Sequence, residues 1–193
     1  VAHVNALLSV LLGVGLSAAC GFRIFVPFLL VGIAARTGHV AIGPSFAWMA
    51  STPALIALAV ATVLEIGAYY IPWLDHVLDV IATPAAVVAG MIMTASVVTG
   101  IDPMLKWTLA LIAGGGIAGT VQALTVGTRK VSLLTTGGLG NPVVSTIELF
   151  GAVVLTVLAI ALPILAFAVI AWALFFGVRH LLRLLRGAGG AAA

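Results

Sequence analysis

From Val143 to Leu182 the chain is mostly apolar, and this run constrains the fold more than any other feature. Roughly forty residues would make about 60 Å of helix, twice the thickness of a bilayer core. The run must fold back, and Pro163 is the one proline inside it that can break it. Only 7% of the 193 residues are charged and 63% are hydrophobic. That is too little polar surface to cover a water-soluble globule, where about a quarter of residues are charged. The expected class is therefore an all-α integral membrane protein, one membrane domain over residues 1–193. The single cysteine, Cys20, excludes an internal disulfide and a cysteine metal cluster.

Apolar length and turn residues predict about six transmembrane helices: 5–21, 53–71, 80–99, 104–124, 143–162 and 164–185. Two further segments are expected to be re-entrant or half-helical. Phe22–Ala35 spans only about 21 Å, so a re-entrant half-helix and a steeply placed short helix both fit. Thr135–Asn141 is the second, a Gly-rich loop after Arg129 and Lys130. The apolar N-terminal segment lacks a Lys or Arg ahead of it and reads as a retained first helix. Arg179, Arg183 and Arg186 place the C-terminus in the cytoplasm, whereas Arg23 and Arg36 then fall on the side that the rule disfavours. Residues 186–193 read as a flexible tail of small residues.

The halves 5–99 and 104–185 share short patterns: Leu12–Ala18 with Ala113–Gly119, and Thr62–Ala68 with Thr146–Ala152. Such patterns are consistent with an inverted three-helix repeat. Depth argues against strict symmetry. Glu65 precedes Pro72 by seven residues and Glu148 follows Pro142 by six, so both acids lie about 10 Å from the same, inner ends of their helices. A shared inner site is the reading we prefer.

An acid inside an apolar helix is costly and faces a bundle interior or a water cavity. Glu65 and Glu148 are such acids, as cation ligands, as proton carriers, or as structural partners of an arginine. Asp75 and Asp79, at i,i+4 spacing, share a helix face beside them. Together the four form the candidate cation or proton site; a solvated helix cap is the plain alternative for the aspartates. Thr135, Thr136, Gly137, Gly138, Gly140 and Asn141 can converge backbone N–H groups on an anion, with Arg129 and Lys130 close in sequence. A tight turn requiring glycine geometry explains them equally well. Arg23 either pairs with an acid in the bundle or snorkels to headgroups. No catalytic triad, haem motif or nucleotide fingerprint stands out, so neither an enzyme nor a cofactor is expected.

T-T-G-G-L-G-N-P-V-V-S-T-I-E (135–148), with Arg129 upstream, resembles the signature of a bacterial multi-pass family catalogued as domain of unknown function 4126. Glu65, Ile71, Pro72, Leu74, Asp75 and Asp79 are similar to its other signature, except that Tyr69-Tyr70 stand where the family has Asp-Lys. The resemblance covers most of residues 5–170. It implies an integral inner-membrane protein and supplies no function. From the residues themselves we expect a small secondary transporter or channel; the alternative is a non-transporting membrane subunit or lipid-binding module. Expected partners are membrane lipids, a small ion or solute and a second copy of the chain, but not nucleic acid.

Overall fold

The computed structural model describes residues 2–189, with side chains over 6–71 and 80–177 and at 179. The described residues form eight α-helices and no strand. They are α1 (Ala2–Phe22), α2 (Phe25–Arg36), α3 (Thr52–Ala68), α4 (Pro72–Val97), α5 (Pro103–Leu109), α6 (Gly116–Thr136), α7 (Asn141–Ala161) and α8 (Pro163–Gly189). A 3-10 turn, Pro44–Ala50, leads into α3, which Ser51 caps by accepting the Ala54 amide at 3.3 Å. A wide π-turn, Ala110–Gly115, joins α5 to α6.

Helix α1 is the centre of the bundle and packs on α4, α6, α7 and α8. Every residue from Gly13 to Gly21 is buried. These residues are mostly small, which is what close packing between helices in lipid requires, since burial of apolar surface from water supplies no drive there. A β-carbon on Gly15 would lie 2.7 Å from the Ala159 methyl of α7, and one on Gly21 2.6 Å from the Ala118 carbonyl of α6. Ser17 donates to the Gly90 carbonyl at 2.8 Å and lies 2.8 Å from the Thr94 hydroxyl, so its polar group is satisfied across the α1–α4 contact.

The membrane character stands, but among the described residues fewer stretches than expected are long and apolar enough to span. Three stretches are long and apolar enough to span: Val80–Val97, Pro103–Thr136 and Asn141–Ala161. A fourth is added if the 3-10 turn and α3, bent by 65°, count as one. Helix α2 is apolar but shorter, and so are the parts of α1 and α8 whose side chains are described, Ala6–Phe22 and Pro163–Gly177. Apolar length alone ends one helix at Leu124 and puts the two cations beyond it in a loop. Instead α6 continues to Thr136, carrying Arg129 and Lys130 within it. Nothing in that stretch stops a helix: Gly127 alone costs about 1 kcal/mol, and the first positive φ is 64° at Gly137.

The Thr135–Asn141 segment is therefore no re-entrant loop. Residues 137–140 make a four-residue turn between two long helices. Helix α2 does stay short, about 18 Å. It runs antiparallel to α3: Arg36 at its end donates to Thr52 at 2.8 Å, and Glu65 near the end of α3 meets the start of α2. The halves differ in element order. A short helix and a 3-10 turn follow the first long helix of one, and a tight turn follows that of the other, so the inverted repeat is not supported. The expected tail begins inside α8, which runs to Gly189.

Candidate functional site: a buried charge cluster at a helix break

Pro27 explains why α1 stops. A helix continued through it would drive its ring into the Arg23 carbonyl four residues back and leave that carbonyl without an amide donor. The chain breaks at Arg23 and restarts as α2 at Phe25. The free amides of the new helix start are taken by Glu65: Oε1 accepts from Ile24 at 2.7 Å and Oε2 from Phe25 at 3.1 Å. An anion at a helix N-terminus also meets the favourable end of the helix dipole. Glu65→Gln keeps one acceptor and loses the charge. It should lower stability by about 0.5–2 kcal/mol, the usual range for a lost cap. Thermal unfolding in detergent measures this, and an unchanged midpoint would show that the cap is dispensable.

The break turns Arg23 into the bundle, where it is 1% exposed. Its Nη2 donates to the Ser145 carbonyl at 3.1 Å and to the Ser145 hydroxyl at 2.5 Å. The same nitrogen lies 3.4 Å from Glu148 Oε2. From α6, Arg129 approaches the same carboxylate. Its Nε donates to Glu148 Oε1 at 3.1 Å and its Nη2 to Oε2, the two-bond geometry that a guanidinium makes best. Both guanidinium centres lie over the Tyr69 ring, at 3.9 Å for Arg23 and 4.0 Å for Arg129. The ring face is a favourable surface for a desolvated cation. Tyr70 adds a contact of 2.9 Å to the Thr146 hydroxyl on α7.

Four segments are tied together in this way: the α1–α2 break, the end of α3, α6 and α7. Arg23, Arg129 and Glu148 are all at least 97% buried. Such a trio is a poor source of net stability, because desolvation offsets the attraction. It does fix which segments meet, since each charge is costly without the others.

The expected residues are thus sorted into three groups. Arg23, Arg129 and Glu148 form the cluster, with Glu65 one residue from Arg23 through its amide contacts. Thr135 and Thr136 spend their hydroxyls on their own helix, donating to Val131 and Ser132 carbonyls. Turn amides are also engaged: Leu139 with Thr136 O, Gly140 with Thr136 Oγ1 at 2.9 Å, and Asn141 with Gly138 O. Gly137 and Gly138 supply the positive φ values, 64° and 91°, that this turn needs. Lys130 is exposed on α6, away from the buried face that carries Arg129. Asp75 and Asp79, with His76, lie outside the described residues as far as side chains are concerned. Among the described residues no three His, Cys, Asp or Glu side chains group as a metal site.

Tyr69 and Ser145 are not among the expected site residues. Ser145 is three residues before Glu148 on the same helix face, which is the pattern that would have found it. Tyr69 carries no such signal, because its place depends on where α3 ends.

Glu148 also borders a cavity of about 480 Å³ between α1, α6, α7 and α8. Its lining is apolar except for Glu148, Thr125 and Thr128. Ile147, Val154 and Val169 both line it and are exposed on the bundle surface, so it is open to the side.

Compared with known proteins, residues 10–183 match the model of the family described as domain of unknown function (DUF4126). No curated protein and no solved structure matches.

Proposed function

The chain belongs to the DUF4126 family, and on that premise we propose that it is a small secondary transporter or channel in which Glu148 is the proton-binding carboxylate. One observation supports this above the rest: a buried carboxylate is shared by two arginines at a helix break, beside a side-opening cavity. Protonating Glu148 removes the charge that holds Arg23 and Arg129 together. The α1–α2 break is then the element free to move, because its position depends on Arg23. A metal ion would need several free oxygen ligands, whereas a proton needs a single carboxylate lone pair. Both oxygens of Glu148 are engaged by arginine and both oxygens of Glu65 by backbone amides. This reading keeps the bacterial inner membrane, a cytoplasmic C-terminus, a small solute or ion as cargo and a second copy of the chain as partner.

The test is proton flux in proteoliposomes carrying an internal pH dye. Wild-type protein should dissipate an imposed pH gradient faster than empty liposomes. The paired substitution Arg129→Met with Glu148→Gln removes the carboxylate without leaving an extra buried charge. It should fold and show no flux above background. Flux equal to wild type would remove Glu148 from the proton path. The second reading, a non-transporting subunit or lipid-binding module, draws on the engagement of both Glu148 oxygens by arginine and on the apolar cavity. It expects no flux from the wild-type protein under any gradient.

A further inference from the structure

We infer that the side-opening cavity is a binding site for a single-chain neutral lipid ending in a hydroxyl group. Its walls leave little choice about the body of the ligand, since all but three lining residues are apolar. At about 480 Å³ it falls within the usual range for small-ligand sites, roughly 300–1,000 Å³. A chain enters sideways from the hydrocarbon, past Ile147 and Val169.

The polar lining determines the end group. Thr125 donates its hydroxyl proton to the Gln122 carbonyl at 2.9 Å, and Thr128 donates to the Leu124 carbonyl at 2.9 Å. Each hydroxyl is left with acceptor capacity only. Glu148 lies in the same lining, with its charge already met by its two arginines. Two threonine acceptors and no donor call for an O–H or N–H on the ligand. A carboxylate or phosphate would meet only oxygen lone pairs. An ammonium would bring a third cation to a carboxylate that two guanidiniums already neutralise, with Glu65 committed to the start of α2. A neutral hydroxyl donates to one of the threonine oxygens without adding charge. The inference does not depend on proton transport, because it uses only the cavity and its acceptors.

Photolabelling tests it on detergent-purified full-length protein. Diazirine-tagged hexadecanol is compared with diazirine-tagged hexadecanoic acid and hexadecylamine, and adducts are mapped by mass spectrometry. The alcohol should label cavity residues on α6, α7 and α8 about tenfold more than either charged probe. Thr125→Val with Thr128→Val should reduce that labelling by roughly 5- to 10-fold, the loss of one or two neutral hydrogen bonds. Gly151→Trp should abolish it, and Gly151→Leu should weaken it if the larger variant does not fold. A β-carbon on Gly151 meets nothing nearer than Phe22 at 3.9 Å, so the larger side chain fills the cavity itself. Equal labelling by all three probes means bulk acyl chains fill the space and overturns the inference. So does labelling that neither Gly151 variant changes. Labelling without proton flux would overturn only the transport reading, and flux without labelling only this one.

Discussion

Replacing Glu148 by leucine is expected to cost the folded protein about 3–5 kcal/mol, the range for breaking a buried ion pair from one side. For a chain of this size that is a fall of roughly 6–20 °C in the unfolding midpoint. Arg23 and Arg129 would remain, each about 4 Å from the Tyr69 ring centre, with no carboxylate between them. Adding Arg129→Met to Glu148→Leu should recover a large part of the loss, because it removes one of the two stranded cations. Arg23 keeps its Ser145 bonds in that double variant. Residues in one charged network are non-additive by about 0.5–3 kcal/mol. A double variant as unstable as the sum of the singles would mean that the cluster does not act as a unit. Thermal unfolding of the four proteins in one detergent gives the cycle.

The second large effect is expected where α4 crosses the π-turn. A β-carbon on Gly90 would lie 2.6 Å from the Gly114 carbonyl oxygen and 2.5 Å from the Ala118 β-carbon. One on Gly114 would meet the Gly90 carbonyl oxygen at 2.5 Å. The closest atoms are backbone or the first side-chain carbon, so rotamer changes cannot relieve the contact. Gly90→Leu should therefore destabilise by at least the roughly 1–3 kcal/mol typical of overpacking. Gly127→Ala is the control. Its β-carbon meets nothing within 4 Å, and the change should stabilise α6 by about 0.5–1 kcal/mol. Equal effects at the two positions would mean the helices are not in close contact at Gly90.

These two sites differ in how far the sequence reveals them. The cost of placing Glu148 in an apolar helix is readable from composition, and so is the need for a partner. The partner's identity is hidden by a helix boundary. Ending a helix at Leu124 puts Arg129 in a loop. With the helix run through to Thr136, Arg129 is seven residues before its end and Glu148 seven residues after the start of α7. Residues equally far from a tight turn lie side by side in a helical hairpin, so the pair follows once that boundary is right.

Glu65 shows a different limit. Its depth relates it to Glu148, but its role depends on the backbone of Ile24 and Phe25, and amide direction leaves no trace in side-chain pattern. The Gly90–Gly114 contact is legible only as small residues on two helices. Which glycine faces which is set by the wider turn at Ala110–Gly115, which shifts the helical phase.

The break at Arg23 also has a consequence for how the chain is made. Arg23 leaves the ribosome 122 residues before Ser145. At about 5–20 residues per second, that is a wait of roughly 6–24 s before its acceptors exist. The cation at the end of the first helix thus has neither Ser145 nor Glu148 to meet until α7 is made. Final seating of α1 therefore waits for α7, although α1 is the first of these helices to be made.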